Sequence, residues 1–355
     1  MNENQAIIEA ALNNRFAPII GQIEIKRELT YRLDNYLATK RVPHFLIHGP
    51  KGNGKTTLAE EIAKSLFLIG ENGQPIVGLN AKGALSVKKK PLLEINASSI
   101  KNLTQFVQGY LVKHVVDKDI TVFVDEASEL PNDVQMALLS MLEDKNSNGK
   151  TSYTHDDYTV DLNFTRQTFI FATSEAHKLF HALKDRCKPI ALQPYTLPEL
   201  GQIVQAKAST VKFVDNVLED ISNVLRGNAR AAKNMAIDIV STGKQLFGKS
   251  EWKEFCYNLN ILPLGLNAIE LEVLRFLDGN LSGLSLTNLS AKTGMSKDSL
   301  RLDSENYLMK QSLLEVTTGG RVLTAKGQNY LKNLNTIRHP QTGIACNTSY
   351  VQEIL

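Results

Sequence analysis

HFLIHGPKGNGKTTLAEEIAKSL, residues 44–66, runs from an apolar segment through a glycine-rich turn into an amphipathic one. Its centre, GPKGNGKT at 49–56, satisfies G-x-x-x-x-G-K-[ST], with a strand predicted before it and a helix after it. Gly49, Gly52 and Gly54 let the backbone curl so that successive N–H groups face phosphate oxygens, and the helix start adds its dipole. Lys55 should then reach the β- and γ-phosphates of a nucleoside triphosphate, Thr56 should ligate Mg²⁺, and Thr57 completes the nucleotide-binding set. Leu58, Ile62 and Leu66 recur four apart, so the following helix buries one face. ATP and Mg²⁺ are the expected ligands.

Working outward, residues 92–95 (LLEI), 120–124 (ITVFV), 168–172 (TFIFA) and 189–192 (PIAL) are further short apolar runs. Near-continuous apolarity suits parallel strands covered on both faces, so residues 1–193 are expected to form an α/β layer domain. ITVFVDE puts Asp125 and Glu126 at a strand end, where such a sheet presents ligands. Asp125 would hold the metal, and Glu126 would polarise the attacking water. Between helix and second strand, residues 70–90 carry four glycines and a Lys88-Lys89-Lys90 run, which reads as a long surface loop.

After Pro194 the strand signals stop, and two helical stretches, 200–208 and 214–240, predict a small helical lid over 194–260. From 261 to 336 the pattern is helix (266–277), helix (286–292), Thr293-Gly294 turn, helix (296–311) and a hairpin turning at Gly319-Gly320, which together read as a winged helix. Residues 337–355 read as a tail. Over 264–336 there are eight basic and seven acidic residues, so any phosphate contact must come from a local patch of Lys297, Arg301, Lys310, Arg321 and Lys326. The alternative use of such a module is protein contact.

Composition sets outer limits. A formal charge of +3 over 355 residues names no partner. Cys187, Cys256 and Cys346 lie too far apart for a zinc ribbon or a disulfide framework, which fits a reducing, cytoplasmic setting. The N-terminus lacks a basic and apolar leader, and no apolar stretch approaches membrane-spanning length, so neither export nor a membrane is expected.

Together these motifs resemble the AAA+ ATPases, and within them the RuvB branch-migration motors most of all, along nearly the whole chain. The resemblance implies a P-loop parallel-sheet domain, a helical lid and a C-terminal winged helix. FAPIIGQIEIKREL (16–29) is similar to the segment that packs near the adenine, implying Ile19 and Ile20 there. TVDLNFTRQTFIFATS (159–174) resembles the approach to the sensor-1 strand, implying Thr173 or Ser174 as the γ-phosphate sensor. LKDRC (183–187) implies Arg186 as an arginine finger reaching a neighbour's ATP, and hence a homo-oligomer, in this family a hexameric ring. YTLPEL (195–200) implies Tyr195 near the nucleotide, and GNARAAKN (227–234) implies Arg230 as the sensor-2 arginine. The wing residue Arg321 matches a DNA-contacting arginine, with Val316 where the family often has a base.

The resemblance thus implies an ATP-driven motor on duplex or junction DNA. A RuvA-like junction-binding partner would need an apolar hairpin tip, whereas residues 142–162 are polar through their middle. His155, Asp156 and Asp157 within that stretch lack an evident fourth ligand and do not read as a metal site. Two rival readings stay open: a clamp-loader-like switch, which DVQMALLSMLED (133–144) and DRC (185–187) also resemble, and an ATP-gated DNA-binding regulator without motor activity. The winged helix speaks against the first, the intact Glu126 and Arg186 against the second.

Overall fold

Five short strands order the first part of the chain: β1 (His44–His48), β2 (Leu92–Asn96), β3 (Thr121–Asp125), β4 (Thr168–Thr173) and β5 (Cys187–Ala191). They pair in the order β2-β3-β4-β1-β5, every pair parallel. Alternate side chains of β1 enter different cores: Leu46 joins Val122, Val124, Phe169 and Phe171 on one face, while Phe45 and Ile47 join Phe123, Ile170 and Ile190 on the other. Helices Gln105–Val115 and Asn132–Met141 cover the first face, and Ile23–Thr39 and Lys55–Lys64 the second. β4 is buried at all six positions, as a strand between two neighbours and two helical layers must be.

The computed structural model describes residues 3–39, 42–71, 73–142, 150–155, 158–164, 166–280 and 282–334. It divides into two units, Met1–Glu199 with Gly227–Arg230, and Leu200–Arg226 with Ala231–Leu355. The expected tail over 337–355 and the tip residues Asp156 and Asp157 lie outside the described residues. Among the described residues no helix is long and apolar enough to cross a membrane, and no cluster of three His, Cys, Asp or Glu is placed to hold a metal.

The stretch read as a surface loop is largely ordered backbone. Val77–Leu79 and Leu85–Val87 pair as an antiparallel hairpin, and bridges at Phe67–Lys89 and Ile69–Pro75 continue it. Asn80 Oδ1 accepts from the Lys82 and Ala84 N–H groups to close the turn. The glycine count concealed an alternation of apolar residues at 77, 79, 85 and 87.

In the second unit, the helical stretch expected over 214–240 is broken into Val217–Asn223 and Ala229–Ser241. Arg226 (φ 57°) and Gly227 (φ 75°) turn the chain left-handed between them. Two-residue strands, Lys212–Phe213 and Leu246–Phe247, also pair there.

The last helices are Ala268–Asp278, Leu286–Thr293 and a third, from Lys297 to Lys310, whose middle, Leu300–Glu305, is π-helical. Strands Leu314–Thr317 and Gly320–Leu323 form the wing, and helix Ala325–Leu334 follows. Asn267 caps the first of these helices by accepting from Glu270 N–H at 2.8 Å, while the Glu270 carboxylate accepts from Asn267 N–H at 2.9 Å.

Candidate functional site

The turn after β1 enters helix Lys55–Lys64 through Gly54 in a left-handed conformation. Gly52 has φ 79°, and a Cβ there would lie 2.3 Å from Asn228 Oδ1, so both backbone and space demand glycine. Gly49 lies against Leu192, whose carbonyl oxygen would be 2.7 Å from an added Cβ. Lys55 is 9% exposed and its Nζ donates to the Gly49 and Pro50 carbonyls, each at 3.0 Å. Burial lowers its pKa below that of an ordinary lysine, and Glu126 and Asp125 oppose this while Arg230 and Lys51 add to it.

Thr56 Oγ1 donates to Asp125 Oδ2 at 2.9 Å, although β3 and β1 are separated in the sheet by β4. The helix start carries Thr56 across that gap. Asp125 Oδ1 accepts from the N–H of Glu126, which is exposed and held at φ 51°. A non-glycine residue in that region marks a strained turn at the strand end. Thr57 is half-buried on the same first turn.

Thr173 ends β4, beside His48 of β1, and Ser174 follows it. Thr173 is fully buried with Oγ1 accepting from Glu175 N–H at 2.9 Å, while Ser174 is half-buried. Tyr195 is half-buried, with its hydroxyl 3.6 Å from where a Gly54 Cβ would stand. Burial first, then Glu199, raises its pKa and keeps it protonated. Ile19 packs into the core with Phe16 and Leu29, and Ile20 is half-buried beside it.

Arg230 meets the loop through its backbone. Its N–H donates to the Gly52 carbonyl at 3.0 Å and to Asn228 Oδ1 at 2.9 Å, and its side chain is exposed. Asn228 Nδ2 in turn donates to Lys51 O at 3.3 Å. Sequence reasoning passed over Asn228, and also Asn53 and Gln22, whose amides both donate to Gln193 O. An asparagine inside GPKGNGKT that is 2% exposed must find a partner, but its identity depends on residue 193, which no local pattern brings near.

Arg186 is not part of this cluster. It precedes β5, whose Cys187 pairs with His44, whereas the glycine loop follows His48 at the opposite end of β1. Four residues of strand, about 13 Å, separate the two levels. Its Nη1 donates to Ala182 O at 2.8 Å.

In the winged helix, Lys297 and Arg301 are exposed. Lys326 Nζ donates to Gln311 O at 2.8 Å. Arg321 is only 17% exposed and makes two bonds, at 3.0 and 3.1 Å, to the Glu305 carboxylate. It faces Val316 across the hairpin, and Val316 is exposed.

The expected interval hairpin exists as strands Lys150–His155 and Tyr158–Asn163, but the tip on which the partner expectation rests lies outside the described residues.

Comparison with known proteins agrees with this geometry. Residues 45–195 match the ATPase family associated with various cellular activities (AAA), and residues 263–332 match the RuvB C-terminal winged helix domain. A Holliday junction branch migration complex subunit RuvB from Ehrlichia canis is 28% identical, covering 91% of this chain and 94% of that protein. The RuvB subunit from Orientia tsutsugamushi is 27% identical, with 94% and 96% covered. A solved structure titled as the Thermotoga maritima RuvB Holliday junction branch migration motor shares the fold, with a TM-score of 0.65 at 23% identity, covering 91% of this chain and 98% of that one. With its glycine loop, strand-end acids and wing, the chain carries an AAA ATPase domain and a RuvB-type C-terminal winged helix, and it resembles the RuvB subunits along nearly its whole length.

Proposed function

We propose that the chain is an ATP-hydrolysing motor that assembles as a homo-oligomeric, hexameric ring and drives duplex DNA through branch migration of Holliday junctions. Lys55 and the loop N–H groups hold the β- and γ-phosphates, with Thr57, Tyr195, Ile19 and Ile20 around the rest of the nucleotide. Thr56 and Asp125 offer two hard oxygen ligands 2.9 Å apart, which suits Mg²⁺. When bound, that ion neutralises charge on the phosphates. Glu126 orients the attacking water, and Thr173 or Ser174 senses the γ-phosphate. Arg230 reaches the same phosphate from the turn that its backbone anchors on Gly52.

The observation that carries the ring is the position of Arg186 at the end of the sheet remote from its own glycine loop. An arginine so placed can stabilise phosphoryl charge only in an adjoining copy, which makes hydrolysis depend on assembly. Lys297, Arg301 and Lys326 of the winged helix then follow the DNA backbone, joined by Arg321 once it leaves Glu305, whereas a RuvA-like junction-binding protein would have to dock without an apolar anchor, because residues 142–162 are polar through their middle. The match of residues 263–332 to a RuvB winged helix favours this over a clamp-loader-like switch. The test is junction migration by wild type and Glu126→Gln. The motor reading expects DNA-stimulated ATPase with ATP-dependent movement, both lost in the variant. ATPase without any movement of DNA would sink it.

A further inference from the structure

The connection into the winged helix is held at three successive carbonyls. Tyr330 Oη donates to Pro263 O at 2.9 Å, Tyr307 Oη to Leu264 O at 2.5 Å, and Arg226 Nε to Gly265 O at 2.8 Å. Gly265 lies so close to residue 224 that a Cβ would be 2.1 Å from the Val224 carbonyl oxygen. Interdomain connections are ordinarily mobile because their backbone groups face water. Here they are taken by side chains.

Arg226 does more than bind a carbonyl. Its Nη2 pairs with the Glu270 carboxylate, and its guanidinium lies 3.8 Å over the Tyr307 ring. Glu270 is fully buried, and its Oε1 has no hydrogen-bond partner, so this guanidinium is the charge that compensates it. Breaking such a pair strands a buried carboxylate, which makes the joint stiff. Burial raises the Tyr307 and Tyr330 pKa values, so both hydroxyls remain donors. Arg226 is also the residue immediately before Gly227–Arg230, the turn whose last N–H donates to Gly52 O in the glycine loop.

We infer that Arg226 is a positioning residue: with Glu270 and Tyr307 it fixes the winged helix to the turn that rests on the nucleotide loop. A nucleotide-dependent shift of Gly227–Arg230 is thereby passed to the winged helix instead of being absorbed in the connection. What that shift is used for rests on the motor reading above; the joint itself does not.

Hydrogen exchange on the full chain, with ADP and with a non-hydrolysable ATP analogue, tests it through peptides covering 263–278. Wild type should exchange differently with the two nucleotides. Glu270→Gln should erase that difference while melting normally and keeping DNA-independent ATPase and duplex binding within twofold, with junction movement down tenfold or more. No nucleotide-dependent difference in wild type, or a folded Glu270→Gln that keeps it, overturns the joint. So does a proportional fall in ATPase, DNA binding and movement, which is what a merely structural role produces. If Glu270→Gln fails to fold, Tyr307→Leu, which removes the ring under the guanidinium, is read by the same outcomes. An exchange difference that is lost in the variant, in a wild type that moves no junctions, would leave the joint standing and remove the motor.

Discussion

Lys55 has its charge set by its surroundings, because a buried ammonium competes with water for its proton while two strand-end carboxylates hold it. Burial wins, and its pKa is lowered. The protonated form is the one that pairs with phosphate, so nucleotide affinity should be full below this pKa and fall as pH rises through it, before an ordinary lysine would titrate. Stability runs the other way. The folded state gives up this proton more readily than the unfolded chain, so the cost of the buried charge is relieved as pH rises between the two values. Titrating fluorescent-nucleotide affinity upward from pH 7 checks the first sign; Lys55→Met should lose more than about 100-fold in hydrolysis and flatten the profile. Arg321 poses a different residue-scale question, since Glu305 already occupies its guanidinium. Glu305→Gln should release it, tighten duplex binding and steepen log K against log salt by about 0.9, one phosphate contact. An unchanged slope would make the wing arginine a structural residue.

At the scale of elements, helix Ala268–Asp278 depends on its first turn, where Asn267 and Glu270 exchange caps. Asn267→Ala removes one acceptor and should cost about 1 kcal/mol. Urea unfolding followed on Trp252, the single tryptophan and a residue of the same unit, would show it as a lower midpoint. The hairpin Val77–Leu79 and Leu85–Val87 illustrates what element prediction loses when composition outweighs period. Glycines at 73 and 83, both with positive φ, are turn residues that make the strands possible, yet by count they argue for a loop. The break at Arg226-Gly227 was invisible for the opposite reason: helical residues flank it, and only the demand that residues 228 and 230 reach the glycine loop bends the chain there.

At the scale of the whole molecule, Arg186 precedes β5 at the end of the sheet opposite the glycine loop, so on the motor reading catalysis is expected to be shared between copies. Arg186→Ala and Lys55→Met should each be inactive alone. Mixed in equal amounts, half the glycine loops and half the fingers are intact, so about a quarter of the sites regain both and ATPase should return toward that level. No recovery on mixing would place the arginine's role within its own subunit.

The glycine loop, the strand-end acids, the apolar strands and the winged-helix pattern are local: each is written in contiguous residues whose spacing fixes its own backbone. Sequence alone therefore determined the nucleotide loop and the order of the layers. The Thr56–Asp125 contact, the Asn228 and Arg230 bonds to residues 51 and 52, the Glu305 hold on Arg321 and the buried Arg226–Glu270 pair join positions from 16 to 178 residues apart. Only tertiary structure could decide those, because which polar group meets a buried charge depends on how separate elements pack, and no periodicity along the chain encodes that meeting.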